Sequence, residues 1–300
     1  MTPPDTQLTV ACIQMEPRIG AVEENVRRSL EFIGIAADRG ARLIVLPELC
    51  NSGYVFETAE EARDLAEDAT SGPSVQAWAE IAARRDLHIV AGLCERAGDG
   101  LFNGAVLIGP QGPLGTYRKM HLWDQENRFF TPGDLGFPIF DLPFGRVGVL
   151  ICYDGWFPES WRMCGLQDAD IVCVPTNWVP MPAQPAQRDA MANILVMAAA
   201  HSNSVFIAAA DRIGTERGQP FLGRSLIVAP TGWPLAGPAS ADQEEILLAS
   251  FDPTEARRTR QLNAFNHVLN DRRPEFYQAR QGEGLRPSTP ARAMPLQPVT

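Results

Sequence analysis

The chain has 300 residues, of which 45% are hydrophobic and 21% charged, and a formal net charge of −10 with a pI near 5.0. A chain of this length can bury a substantial apolar core. The negative charge disfavours attraction to phosphate backbones and anionic lipids, so neither nucleic acid nor a membrane is an expected partner. No apolar run reaches the roughly 20 residues of a membrane-spanning helix, and the N-terminal MTPPDTQLTV lacks the pattern of a secretory signal. We therefore expect a cytoplasmic protein.

The cysteine and lysine contents give two further expectations. Six cysteines are spread along the chain without a CxxC pair, which predicts free thiols rather than a disulfide framework. Among 26 basic residues, Lys119 is the single lysine. If the sequence uses arginine wherever any cation suffices, the remaining lysine marks a position that needs an ammonium. Composition alone favours the simpler explanation, that this lysine is present by chance.

Apolar periodicity predicts alternating strands and helices in the first half of the chain. The strands are expected at 8–14, 42–46, 88–94 and 104–109, and the helices at 22–39 and 73–85. The turn signal GPQG at 109–112 predicts a hairpin with the run LGTYRK that follows it, so that Lys119 leaves a strand end.

The second half continues the alternation after a long functional loop predicted at 120–138. Strands are expected at 146–152, 171–175, 205–210, 224–229 and 245–251, and helices at 158–166 and 187–200. No repeat and no glycine- or serine-rich linker divides the chain, which predicts a single α/β domain over residues 1–273. The proline-rich, polar residues 274–300 are predicted to form a tail that is disordered or lies at a subunit interface.

Three polar residues stand just beyond apolar strands, where α/β sheets tend to build functional sites. They are Glu48 after LIVLP, Lys119 after TYR, and Cys152 after RVGVLI. Taken alone, each has a simpler explanation: a solvated carboxylate, a surface cation and a small buried hydrophobe. Together they supply what acyl transfer requires, because a thiol can attack, a carboxylate can accept its proton, and an ammonium can stabilise the oxyanion.

The segments that carry these residues resemble, in order and spacing, the three motifs of the nitrilase, or carbon–nitrogen hydrolase, superfamily. They are LPEL at 46–49, YRKMHL at 117–122 and CYDGWFPE at 152–159. Further similarity is found in FTPGD at 130–134, PTNW at 175–178 and GRSLIVAPTG at 223–232. The resemblance covers roughly residues 7–265 and leaves out only the tail.

This resemblance implies a four-layer αββα sandwich that pairs into an αββααββα homodimer, with higher homo-oligomers left open. It also implies that Glu48 is the base, Lys119 the oxyanion stabiliser and Cys152 the nucleophile. The alternation of strands and helices is compatible with that fold but does not single it out.

The resemblance adds candidates around the triad. Glu126, in QENRFFTPGD, matches a second glutamate that family amidases often carry and that orients the substrate amide or the attacking water; a solvated loop acid is the alternative. The main-chain N–H of Tyr153 is implied as the second oxyanion donor. Trp156, Asn177 and Trp178 are the remaining substrate-binding candidates. The sequence itself, rather than the resemblance, offers Trp156 and Trp178, with the loop aromatics Trp123, Phe129 and Phe130, as walls of an apolar pocket; packing is the alternative role for all five.

Other patterns argue against different chemistry. Four isolated histidines form no metal motif, and no glycine-rich phosphate loop is present, so neither a metal nor a cofactor is expected. GRSLI at 223–227 lacks the last glycine of a GxSxG elbow, which disfavours a serine hydrolase. Asp154 and Glu159 are predicted to be structural and to cap or complement the helix that begins near Pro158. The resemblance implies that His121 is part of the scaffold.

The predicted function is hydrolysis of a non-peptide C–N bond in a small amide or N-carbamoyl compound, with release of ammonia through a cysteine thioester. The CYD sequence after the strand resembles amidases and carbamoylases more than true nitrilases. A nitrilase is the nearest alternative, since the same three residues could form a thioimidate. A cysteine acyltransferase and a non-catalytic binding protein are the alternatives from other classes.

Overall fold

The computed structural model describes residues 7–182 and 190–277, and it places them in two six-stranded sheets, one two-stranded hairpin and two helical layers. The strands are β1 (Leu8–Gln14), β2 (Leu43–Val45), β3 (His88–Ala97), β4 (Gly100–Gly109), β5 (Gly112–Arg118), β6 (Ile139–Leu142), β7 (Gly145–Val149), β8 (Ile171–Pro175), β9 (Phe206–Ala210), β10 (Thr215–Glu216), β11 (Gln219–Pro220), β12 (Leu226–Val228), β13 (Pro234–Ala236) and β14 (Glu245–Phe251). The helices are α1 (Val22–Asp38), α2 (Ala59–Asp64), α3 (Pro73–Arg85), α4 (Pro158–Leu166), α5 (Met191–Asn203), α6 (Glu255–Arg258) and α7 (Pro274–Tyr277).

The two large sheets repeat one plan. The first has the order β14-β1-β2-β3-β4-β5 and the second the order β13-β12-β9-β8-β7-β6. In each, three consecutive parallel strands form the centre, β1-β2-β3 in one and β7-β8-β9 in the other, and antiparallel strands flank them. Parallel strands have their carboxyl ends at one edge of a sheet, so each sheet has one edge at which several loops meet.

Side-chain alternation along the strands explains why the sheets are covered on both faces. On β1, Leu8, Val10 and Cys12 join the core between the sheets, whereas Ala11 and Ile13 pack in the layer that holds α1 and α3. Every one of these five residues is buried, so the strand presents an apolar side chain to each face. The second sheet is covered on its outer face by α4 and α5.

The helical layer on the first sheet is held by apolar packing and one buried polar contact. In α3, Pro73 occupies the first turn, and Val75, Trp78 and Ile81 are buried. The indole Nε1 of Trp78 donates to Ser29 Oγ of α1 at 2.8 Å, which joins the two helices. The four layers are therefore helix, sheet, sheet and helix, which confirms the predicted αββα sandwich.

Most predicted elements are present, with differences at their ends. The helix predicted at 73–85 has those bounds, whereas the strand predicted at 146–152 ends at Val149. The helix predicted at 187–200 is helical from Met191 to Asn203, and its predicted first residues up to 189 lie outside the described residues. Of the predicted tail, residues 274–277 form α7 and 278–300 lie outside the described residues. Among the described residues, no helix has the length and apolarity to cross a membrane.

The stacked rings of Phe206 and Phe251 give a test of the packing between the sheets. Phe206 lies on β9 and Phe251 on β14, with ring centroids 3.9 Å apart and planes 7° apart. We expect Phe206→Ala to lower the free energy of unfolding by about 3–5 kcal/mol, because it leaves a cavity in a core that cannot fully collapse. Denaturant unfolding measures this loss. The matched control Phe265→Ala, whose side chain is 90% exposed, is expected to change it by less than about 0.5 kcal/mol; equal effects would contradict the packing described here.

Candidate active site

The three residues that follow apolar strands meet between the two sheets. Glu48 follows β2 and Lys119 follows β5 of the first sheet, whereas Cys152 comes three residues after β7 of the second. The side chains of Glu48 and Lys119 are fully buried, and Cys152 is 7% exposed. The three predicted residues thus lie on loops at the edges of both sheets.

A single buried ammonium joins the carboxylates of the site. Lys119 Nζ donates to Glu48 Oε1 at 2.6 Å and to Glu126 Oε1 at 2.7 Å. Glu126 lies in a short 3₁₀ helix, Asp124–Arg128, within the loop predicted at 120–138. The structure therefore brings Glu126 into the same cluster, since it is buried and paired rather than solvated.

One carboxylate oxygen of Glu48 is hydrogen-bonded, and the other is unpaired among the described residues. Asn103 Nδ2 donates to its Oε1 at 2.7 Å, and Asn177 Nδ2 donates to its main-chain oxygen at 2.9 Å. Gly92 of β3 lets this main chain approach, because a Cβ there would lie 2.6 Å from Glu48 Cα. Glu48 Oε2 is buried and has no hydrogen-bond partner among the described residues, so it can accept a proton from a neighbouring group.

The charges in the cluster set its protonation. Burial raises the pKa of Glu48 to about 7; the Lys119 ammonium opposes this shift, and the Glu126 carboxylate adds to it. Burial by itself would lower the pKa of Lys119, but the two carboxylates outweigh burial and raise it, so the lysine stays charged. One cation faces two carboxyl groups, and Glu48 can hold a proton or release it near neutral pH. A general base or acid needs that property.

Cys152 sits in a strained backbone conformation. It begins a 3₁₀ helix, Cys152–Trp156, with φ of +44°, in the left-handed region that residues other than glycine rarely adopt. Strain of this kind persists only where the surroundings fix it, and it is often found at functional sites. The turn carries the thiol out of the sheet direction, which explains why the strand ends before residue 152.

Asp154 fixes this turn. Its Oδ2 accepts from the main-chain N of Ile151 at 3.0 Å and from the hydroxyl of Tyr117 at 2.7 Å, and its Oδ1 accepts from the main-chain N of His121 at 3.0 Å. His121 Nδ1 lies 2.8 Å from the same oxygen. The prediction that Asp154 caps the helix at Pro158 is wrong: it caps the turn of the nucleophile instead and ties it to the segment that carries Lys119.

The surroundings of Cys152 favour the protonated thiol over the thiolate. Burial raises its pKa well above the ordinary value, and the Glu48 carboxylate adds to this shift. The Lys119 ammonium lowers the pKa but does not reverse this upward shift. Attack by the sulfur therefore requires a base that removes the proton, and the unpaired carboxylate oxygen of Glu48 can accept it.

A narrow pocket opens above the sulfur and is mainly apolar. It is lined by Cys152 together with Trp123, Tyr153, Trp156, Asn177, Trp178, Val179 and Met181. All four predicted substrate-binding residues therefore lie beside the nucleophile. Two of them also have structural partners: Asn177 is bonded to Glu48, and the main-chain N of Trp178 donates to Asp211 Oδ1 at 2.9 Å. Phe129 and Phe130 line an adjacent pocket that reaches Glu126.

Two residues at the site were missed by the sequence analysis. Asn103 is a buried polar residue in the apolar run LFNGAVLIG, and such an interruption could have marked it. Tyr54 donates its hydroxyl to Glu126 Oε1 at 2.6 Å. It follows Glu48 by six positions in a loop, and no pattern in the sequence reveals this contact.

The role of Asp154 can be tested by an isosteric change. We expect Asp154→Asn to slow alkylation of Cys152 by iodoacetamide and to lower the free energy of unfolding by about 1–3 kcal/mol, because an amide group cannot satisfy all the donors that the carboxylate accepts. Mass spectrometry of the Cys152 peptide and denaturant unfolding give the two readouts. The control Glu159→Gln, on an exposed residue in the first turn of α4, should change neither. An unchanged alkylation rate in Asp154→Asn would show that the turn does not depend on this carboxylate.

Comparisons with known proteins agree with this arrangement. The model of the carbon–nitrogen hydrolase family matches residues 9–261. A protein from Pyrococcus abyssi named nitrilase is 42% identical over 89% of this chain and 98% of its own length. N-carbamoylputrescine amidase from Solanum lycopersicum is 33% identical over 90% of this chain and 93% of its own. The solved structure of a carbon–nitrogen hydrolase from Helicobacter pylori G27 superposes with a TM-score of 0.77 at 25% identity, covering 91% of this chain and 97% of that one.

The family match spans most of the chain, the relatives align over nearly their whole length, and the sandwich is the fold of a solved carbon–nitrogen hydrolase. The chain belongs to the carbon–nitrogen hydrolase family, within the nitrilase superfamily.

Proposed function

We propose that this protein hydrolyses a small amide or N-carbamoyl compound through a thioester on Cys152. The observation that carries the proposal is the contact between Glu48 and Lys119, beside the pocket that contains the Cys152 thiol. Lys119 Nζ binds Glu48 Oε1 at 2.6 Å, which leaves Glu48 Oε2 without a partner among the described residues and able to take the thiol proton. A base, a cation and a nucleophile are then available at one carbonyl carbon.

In the first half of the reaction, Glu48 accepts the proton of the thiol as Cys152 Sγ attacks the carbonyl carbon. The negative charge that develops on the substrate oxygen is stabilised by the Lys119 ammonium and by the main-chain N–H of Tyr153. The tetrahedral intermediate collapses with cleavage of the C–N bond. The protonated Glu48 returns its proton to the leaving nitrogen, and ammonia departs, which leaves a thioester from an amide or the corresponding thiocarbamate from an N-carbamoyl compound.

In the second half, water attacks the thioester carbon. Glu48 takes a proton from this water, and the same donors hold the oxyanion. Collapse of the second intermediate breaks the C–S bond, and the proton on Glu48 restores the thiol. Glu126, which accepts a hydrogen bond from Lys119, orients the ammonium and the substrate amide.

A nitrile is the second candidate substrate. The Pyrococcus abyssi relative, which is 42% identical, is named a nitrilase, whereas relatives from Solanum lycopersicum and Solanum tuberosum, each 33% identical, are named N-carbamoylputrescine amidases. Sulfur attack on a nitrile gives a thioimidate, which needs the same base and nucleophile. An acyltransferase would use the same acyl-enzyme and differ only in the acceptor. The complete Glu48, Lys119 and Cys152 set argues against a non-catalytic binding protein.

A substrate panel separates these candidates. Ammonia release would be measured from matched amide, N-carbamoyl and nitrile compounds, aliphatic and aromatic, with the wild type, Cys152→Ala and Cys164→Ala. We expect release from amides or N-carbamoyl compounds that is lost in Cys152→Ala and retained in Cys164→Ala, a buried cysteine of α4. Release from nitriles alone would favour the second candidate. Turnover by Cys152→Ala equal to that of the wild type would refute the proposed nucleophile.

The pH profile tests the role of Glu48. Because the base must be deprotonated, kcat/KM should rise with pH through the pKa of Glu48, raised by burial to about 7. Glu126→Gln removes a negative charge that contributes to this rise. We therefore expect the acidic limb of the profile to move to lower pH in Glu126→Gln, together with a lower kcat. A limb that stays in place would argue that Glu126 does not influence the base.

The assembly and the compartment are part of the same proposal. A homodimer is proposed by resemblance, and light scattering or sedimentation of the full chain would test it. The six cysteines are free in the structure, which fits the reducing cytoplasm that we propose as its location.

A further inference from the structure

The segment that carries Tyr54 is held by a buried carboxylate from a distant part of the chain. Glu216 Oε2 accepts from the main-chain N of Tyr54 at 2.8 Å and from that of Val55 at 2.7 Å. Glu216 is 6% exposed and lies on β10. Two main-chain N–H groups on one carboxylate oxygen fix the direction of the backbone at that point.

Glu216 is in turn fixed by Arg212. Arg212 Nη1 donates to Glu216 Oε1 at 3.1 Å, and its Nη2 donates to the main-chain oxygen of Pro17 at 2.6 Å. Arg212 is 1% exposed, and its guanidinium lies 4.1 Å from the ring centroid of Phe221. A buried ion pair of this kind gives little net stability compared with an apolar pair, so its main effect here is to fix the position of Glu216.

The β10–β11 hairpin contacts the Tyr54 segment on more than one side. Its two-residue turn, Arg217–Gly218, has φ values of +47° and +85°, as a tight hairpin requires. Arg217 Nη1 donates to the main-chain oxygen of Val55 at 2.8 Å. Just after β11, Phe221 meets the ring of Tyr54 edge to face at 5.8 Å. The main chain and the ring of Tyr54 are therefore both held from this hairpin and its flanks.

The held tyrosine connects to the charges of the active site. The hydroxyl of Tyr54 donates to Glu126 Oε1 at 2.6 Å, and this same oxygen accepts from Lys119 at 2.7 Å. Burial raises the pKa of Tyr54 well above the ordinary value, so the hydroxyl remains a donor. A shift of the Tyr54 segment would move Glu126, and with it the ammonium that faces Glu48.

We propose that Glu216, held by Arg212, is a positioning residue: it anchors the Tyr54 segment so that the Tyr54 hydroxyl keeps Glu126 aligned with Lys119. This inference rests on the proposed function for its effect on turnover. The expected effect on the Cys152 thiol is independent of the proposed function, because the reactivity of the thiol depends on the same cluster of charged residues.

A matched set of variants tests the chain of contacts. Glu216→Gln weakens the anchor, Tyr54→Phe removes only the hydroxyl, and the double variant combines them. The control is Asp170→Asn, because Asp170 is also a buried carboxylate with an arginine partner, Arg257, and a main-chain donor, but it lies away from the site. Two readouts are taken for each variant: kcat and KM on the best substrate of the panel, and the rate of Cys152 alkylation by iodoacetamide.

We expect Glu216→Gln and Tyr54→Phe each to lower kcat and the alkylation rate by about 10- to 100-fold, since small misplacements of a catalytic group have effects of this size. KM should stay within about twofold, because neither residue contributes uniform binding in this account. The double variant should be no slower than the slower single variant, because both changes break one chain of contacts. Asp170→Asn should lose stability but keep both rates.

Additive effects in the double variant, or equal losses in Asp170→Asn, would overturn the proposal. If Glu216→Gln does not fold, Arg217→Ala takes its place, because the Arg217 side chain is 31% exposed and also holds the segment through Val55. Arg217→Ala must then lower both rates, and wild-type rates would refute the anchor. If the wild type cleaves no compound of the panel, the proposed function fails, whereas the alkylation rates still decide the role of Glu216.

Discussion

The site depends on one buried cation shared by two carboxylates. Removing an ammonium from water costs several kcal/mol unless paired partners offset it, so Lys119 can be buried only with Glu48 and Glu126 in place. Two carboxylates and one ammonium give the cluster one negative charge in excess. Glu48 takes up the neutralising proton, because its second oxygen has no partner among the described residues. The need to neutralise a buried lysine thus produces a carboxyl group that can exchange protons near neutral pH.

The sandwich is what allows such a cluster to form. Glu48 and Lys119 belong to loops of the first sheet and Cys152 to a loop of the second, so neither sheet alone holds the set. The contact between Asn177 Nδ2 and the main-chain oxygen of Glu48 crosses from one sheet to the other. Apolar packing between the sheets therefore fixes the distance between base and nucleophile, and polar contacts at the edge adjust their direction.

Elements whose signals are local could be predicted from the sequence. The alternation in β1, the apolar run of β2 and the proline that begins α3 led to elements close to those of the structure. Such signals do not mark the half-buried strand β6 and the two-residue strands β10 and β11, which carry no clear apolar period. The left-handed backbone of Cys152 could not be predicted, because it is imposed by Asp154 and its partners from other segments. Nor could the contact between Tyr54 and Glu126, because only the fold brings the two residues together; Asn103, by contrast, is marked in the sequence as a polar residue within an apolar run. The roles of Glu48, Lys119 and Cys152 came from the resemblance and remain a prediction. The structure shows Glu48 and Lys119 in contact, and it places Cys152 in a pocket with Asn177, which is hydrogen-bonded to Glu48.

The rarity of lysine has a practical side. In this sequence the one side-chain amine is Lys119, and in the structure its ammonium is fully buried between two acids. Reagents directed at lysine, such as activated esters and glutaraldehyde, would find no accessible side-chain amine on the folded surface. The protein should therefore resist random cross-linking and amine-based attachment to a support. Carboxylate- or arginine-directed chemistry, or a lysine introduced at a chosen surface position, would be needed to immobilise it in a defined orientation.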